Sequence, residues 1–142
     1  MRLALINVIR LLMLSSFLLV GCSQTDRKLD FEAHIKGKVP TSAKLLHAGA
    51  QYAGIDSSYG FVFSVEDDAL LTELIAEWNL NRDDSASDSG FFRFAKHTWW
   101  PTDAEFRTLV PNFSRQNSEL EEYWIVWPNN ESGKLYVEHG RW

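Results

Sequence analysis

Cys22 is the only cysteine in a chain of 142 residues, so no disulfide can close within it and the fold must rest on buried apolar surface. The composition can supply that surface, since 45% of the residues are apolar and 23% charged, the balance of an ordinary globular domain. A single core without disulfides is within reach of a body this size. An exported chain normally pairs its cysteines, so a lone one in such a chain asks for another purpose.

The residues ahead of Cys22 mark the chain for export. Met1 to Arg10 carries Arg2 and Arg10 and no acid, and runs into the apolar stretch Leu11 to Val20, the layout of a secretory signal. A membrane-spanning helix needs ~20 apolar residues, and Asn7 and Arg10 interrupt the stretch even when it is counted from Leu3. Leu19, Val20, Gly21 and Cys22 then resemble the lipobox of bacterial prolipoproteins, with Leu three places before the cysteine and a small residue just before it. The resemblance implies a diacylglyceryl group on the Cys22 sulfur, cleavage between Gly21 and Cys22, and acylation of the new amino group. One acyl chain binds membranes only marginally, whereas two or three anchor stably. In Gram-negative members an Asp after the cysteine retains the protein at the inner membrane, so Ser23 implies transfer to the outer membrane, facing the periplasm.

The expected organisation is a signal peptide over residues 1–21, a lipidated tether over 22–30 and a single domain over 31–142. Charge separates the possible partners. Lys and Arg number 14 against 19 Asp and Glu, a net of −5, without a basic cluster, so nucleic-acid binding is not expected. Removing residues 1–21 takes away two arginines and no acid, leaving −7. An acidic body is not drawn to anionic lipid, so the membrane partner is met through the lipid alone.

Patterning along the body predicts an α+β fold: a small antiparallel sheet of about four strands, one main amphipathic helix, short helices and a C-terminal hairpin. Thr41 or Ser42 after Pro40 would cap a short helix through His47, with Leu45 and Leu46 inward. Tyr59 to Val65 alternates, placing Phe61, Phe63 and Val65 on one face of a half-buried strand. Asp67 and Asp68 open the main helix, whose apolar stripe is Leu70, Leu71, Leu74, Ile75 and Trp78. Asn79 to Gly90 is a polar loop and Phe91 to Phe94 an extended stretch. Thr102 with Glu105 forms a capping box for a short helix ending before Pro111. Tyr123 to Trp127 and Leu135 to His139 flank Pro128, Asn129, Asn130 and Gly133, a hairpin by its turn chemistry.

The chemistry-bearing motifs are few. There is no G-x-S-x-G elbow, no H-E-x-x-H helix and no phosphate-binding loop. His34, His47, His97 and His139 stand apart, none with a His or acid at the fourth place on to complete a helical metal pair. Asp83, Asp84, Asp88 and Gly90 lack the Glu at the twelfth place that a calcium loop needs. No metal is expected, and no cofactor beyond the covalent lipid on Cys22.

Aromatic residues are the conspicuous feature, with six Trp, four Tyr and nine Phe. Trp124 and Trp127, an odd number of places apart in a strand, must point to opposite faces. Trp99 and Trp100 before Pro101 cannot both point inward from extended backbone. Trp99, Trp100 and Trp127 are therefore the candidate contact residues, against the plainer role of large rings filling a core. The body is also similar to small lipoproteins of unknown function in which a start like Pro40 to Ala43 precedes a phenylalanine strand, a helix and a Trp-Trp-Pro, here Trp99 to Pro101. The resemblance carries no activity. The expected function is a lipid-anchored envelope protein, not an enzyme, whose domain binds an envelope protein, an acidic immunity protein against a basic toxin being its sharper form. The alternative is glycan or peptidoglycan binding on exposed Trp rings.

Overall fold

The structure is a computed structural model and describes residues 31–35, 37–53, 55–85 and 97–142. Its frame is a six-stranded sheet in which every strand pairs antiparallel with its neighbours. In chain order the elements are β1 (Ala43–Ala53), β2 (Asp56–Val65), helix α1 (Ala69–Trp78), β3 (Asn81–Asp83), helix α2 (Asp103–Phe106), β4 (Asn112–Asn117), β5 (Glu122–Asn129) and β6 (Lys134–Arg141). The spatial order is β1-β2-β6-β5-β4-β3, so β6 and β5 form the centre and β1 is a long edge.

Both faces of the sheet are covered. On one face lie α1 and a helical segment over residues 31–35, and the core there joins Phe31, Phe61, Phe63, Leu70, Leu74, Trp124, Val126 and Val137. On the other face, residues 97–109 cover a second core of Val62, Trp100, Phe106, Leu109, Trp127 and Tyr136. Phe31 sets its ring edge-on to Phe61 and Phe63 at 4.8 and 4.5 Å, which fixes the first helical segment to the sheet.

This two-sided burial corrects three expectations. The sheet has six strands where about four were expected. Residues 43 to 53 form strand β1, not a helix capped at Thr41 or Ser42: Leu45 packs in the first core and Leu46 in the second, so adjacent apolar residues that mimic a helix stripe serve opposite faces of a strand, helped by a bulge between Leu45 and His47. Strand β2 is not half-buried either, because Val62 is as deeply enclosed as Phe61 and Phe63.

Within the expected polar loop, Asn81–Asp83 pairs with β4 as a short strand. The rest of that loop beyond Ser85, and Phe91 to Phe94, lie outside the described residues. Helix α1 forms where its stripe predicts, with Leu70, Leu74 and Trp78 buried. The acid that anchors its start is Asp67, whose Oδ1 accepts from the Ala69 N–H at 2.9 Å and from the Ser42 hydroxyl at 2.8 Å. The capping box of α2 is complete: Thr102 N–H donates to the Glu105 carboxylate at 2.7 Å, and Glu105 N–H to the Thr102 hydroxyl at 3.4 Å. The β5–β6 hairpin turns through Gly133 at φ +60, a conformation glycine adopts at no steric cost.

Candidate functional site

Register brings the chemistry together. Tyr59 on β2 stands opposite His139 on β6, and His139 opposite Trp124 on β5, which puts three rings side by side on the face that carries α1. Trp78, the last residue of α1, stacks on Trp124 at 3.6 Å with planes 10° apart, and His139 stacks on Trp124 at 3.8 Å and 8°. From the helical segment over 31–35, His34 meets Tyr59 at 4.6 Å and the edge of His139 at 5.1 Å. Arg115 on β4 fixes the end of the helix by donating to the Trp78 carbonyl at 3.0 Å.

These rings wall a groove of about 590 Å³, whose polar lining includes Ser57, Glu77, Glu122 and Arg141. At its wall His139 is 3% exposed, and neither of its ring nitrogens has a hydrogen-bond partner among the described residues. Its Nε2 lies 3.6 Å from Glu122 Oε2, and Arg141 Nη2 lies 3.8 Å from the same oxygen. Burial, with His34 and Arg141 adding to it, pushes the His139 imidazole down from 6.5 to about 3. The ring is therefore neutral at ordinary pH and offers one donor and one acceptor.

A second polar group is sealed on the opposite face. Tyr123 donates its phenol to Glu138 Oε1 at 2.7 Å and lies 3.0 Å from the Ser58 hydroxyl, all three side chains being buried. Tyr123 reaches them by crossing Gly140 on β6, where a Cβ would overlap its ring. This group is enclosed and braces β2, β6 and β5 against one another.

The expected contact residues fare differently. Trp127 is 0% exposed and Trp100 6%, both in the second core, so their reading as a contact surface is corrected: α2 and the residues before it cover the face to which they point. Trp99 is partly buried and stacks between His47 at 5.5 Å and His97 at 4.9 Å. The histidines that stand apart in sequence thus form two ring clusters in space. Gly21, Cys22 and Ser23 lie outside the described residues. Among the described residues no group of three or more His, Cys, Asp or Glu side chains could hold a metal ion. Asp83 and Asp84 are engaged locally, with the Ser85 N–H and hydroxyl and with Arg82 respectively.

Sequence reasoning missed the groove because His34, Trp78, Trp124 and His139 come from four elements. One signal was within reach: registering the C-terminal hairpin on its turn sets Trp124 opposite His139. No family model matches the chain, and no curated protein or solved structure matches it.

Proposed function

We propose that this is a lipid-anchored protein of the bacterial envelope, held by acyl chains on Cys22, whose domain binds a protein partner through one end of its sheet. In a Gram-negative host Ser23 directs it to the outer membrane, facing the periplasm. The observation that supports the binding surface is the distribution of exposed large apolar side chains. Among the described residues these are Tyr52, Ile55, Val110, Leu120 and Trp142, and all but Val110 gather at the end formed by the β1–β2 turn, the β4–β5 turn and the close of β6. Ile55 is 94% exposed at the tip of its turn. Apolar side chains collected at one end of a sheet are what a partner interface uses, whereas scattered ones need no explanation. Glycan binding on Trp99, Trp100 and Trp127 has lost two of its rings to the core.

The test is in-cell crosslinking at this end of the domain. Ile55→Glu with Leu120→Glu is expected to lower the yield of the partner adduct at least tenfold while stability stays within about 0.5 kcal/mol, as surface substitutions do. Val110→Glu at the opposite end is expected to leave the adduct unchanged. Equal yields from all three proteins overturn the assignment.

A further inference from the structure

The two edges of the sheet are built differently. At one, β3 runs only from Asn81 to Asp83 and carries Arg82 and Asp83 at exposed positions, and short charged edges are a way of keeping further strands off a sheet. At the other, β1 runs from Ala43 to Ala53, and among the described residues no strand pairs with its outer side. Its first part is guarded by the exposed Lys44 and by the bulge between Leu45 and His47. From Ala48 to Ala53 the sequence Ala-Gly-Ala-Gln-Tyr-Ala has no charge, no proline and no bulge, so the devices that hold strand edges apart are missing there. None of residues 43–52 is fully buried, although Leu45 and Ala48 pack against the first core and Leu46 against the second. Both cores thin out at this edge, and a strand laid along it would extend them.

The hairpin register decides which backbone groups point outward. Ala53 and Asp56 are partners across a two-residue turn, and the closing pair of such a turn exchanges both its hydrogen bonds. Alternation then directs the N–H and C=O of Ala53, Gln51 and Gly49 toward β2, and those of Ala48 and Ala50 away from it. Outward groups on either side of a glycine are self-complementary. A second β1, antiparallel to the first and centred on Gly49, sets Ala48 of each copy opposite Ala50 of the other, and each such pair exchanges both its N–H···O bonds. The central pair of glycines puts no side chain between the backbones.

The path of the chain into the domain fits the same arrangement. The two-fold axis relating antiparallel neighbours stands normal to the sheet, so both copies present the same face to the same side. The helical segment over 31–35 lies on the face that carries α1, with Phe31 seated on Phe61 and Phe63 of β2. Three strand spacings, ~14 Å, separate β2 from its mate. Both tethers therefore leave from one side and close together, as two chains held in one membrane require.

We propose that β1 is a self-association edge, at which two copies of this chain pair antiparallel about Gly49 and join their sheets into one. This rests on the lipid anchor at Cys22, because the strand is far shorter than the ~20 to 30 residues a side of a standard interface and the membrane supplies the concentration that favours pairing.

The test is disulfide trapping of the full chain in a Gram-negative host, whose periplasm is oxidising, with the wild type and its lone Cys22 as the blank. Ala48→Cys and Ala50→Cys, coexpressed as differently tagged copies, face each other at ~5.5 Å between Cα atoms, within disulfide reach. Their mixed disulfide is expected to exceed the self-linked form of either variant at least fivefold, since each residue's own mate lies two places further along the strand. Hydrogen exchange of the wild type in phosphatidylethanolamine–phosphatidylglycerol vesicles gives a second reading. The Ala48 and Ala50 amides are expected to exchange at least tenfold more slowly at high surface density than at a hundredfold lower one, while Gly49 and Gln51 do not change. Ala50→Pro, which removes an N–H that the β2 ladder does not use, is expected to abolish the slowing at Ala48. Equal trapping of mixed and single variants, no trapping in membrane-bound protein, exchange that ignores density, or a disulfide to another protein in place of the second copy overturns the proposal. A chain absent from the membrane fraction overturns the anchor instead, and the pairing then stands or falls on the same mixed disulfide in the soluble fraction.

Discussion

His139 shows what a single buried imidazole does to a small domain. Its proton affinity in the folded chain corresponds to about 3, against 6.5 for the free side chain, so between those values the unfolded chain binds a proton that the folded one refuses. Stability from this residue is full above about pH 6.5 and is lost as pH falls toward 3. At pH 4.5 the loss amounts to ~2 to 3 kcal/mol at 1.36 kcal/mol per unit. Unfolding free energies from urea titrations at pH 7 and 4.5 are expected to differ by this much more in the wild type than in His139→Phe, which keeps a ring against Trp124 and cannot be protonated. An identical pH dependence in the two proteins would contradict the assignment. Some of this scale was readable in advance: the odd spacing of Trp124 and Trp127 placed them on opposite faces, and they are found there in separate cores. That both faces would be covered was not readable, because the cover over Trp127 comes from Trp100, Phe106 and Leu109, distant in sequence and without a pattern of their own.

The elements that sequence located are those whose signal is local. Helix α1 has its stripe, α2 its capping box and the β5–β6 hairpin its turn residues. Strands β1, β3 and β4 depend instead on neighbours: β1 reads as helix until β2 pairs along it, and β4, Asn112–Asn117, alternates weakly because polar side chains point to both sides. Arg115 and Asn112 of β4 spend their donors on the Trp78 and Ser85 carbonyls, a use that no periodicity announces. Since the sheet divides the two cores, changes on either side should act independently. Leu74→Ala in the first core is expected to cost ~2 to 5 kcal/mol, and Thr102→Ala, which removes the cap of α2, about 1 kcal/mol. The double variant should match their sum to within about 0.5 kcal/mol by chemical denaturation. A coupling larger than that would mean that the helical layer and the layer over 97–109 respond to each other through the sheet.

On the scale of the whole molecule, α+β was legible as a class while the width of the sheet was not, because its two outer strands on one side carry almost no apolar code. The proposed anchor is tested on the full chain. Cys22→Ala is expected to abolish palmitate labelling and release the protein from the membrane fraction, and Ser23→Asp to move it from outer to inner membrane on a density gradient. Labelling that survives the first change overturns the lipid anchor, and unmoved fractions in the second overturn the sorting. The stacked pair Trp78 and Trp124 has a consequence of another kind. Two parallel indoles 3.6 Å apart share their electronic excitation, so their absorption bands split and rotate polarised light as a coupled pair. One indole belongs to the helix and the other to the sheet, and the coupling decays steeply with separation. The chain thus carries an optical gauge of the contact between its helical layer and its sheet, built from native side chains at the wall of the groove.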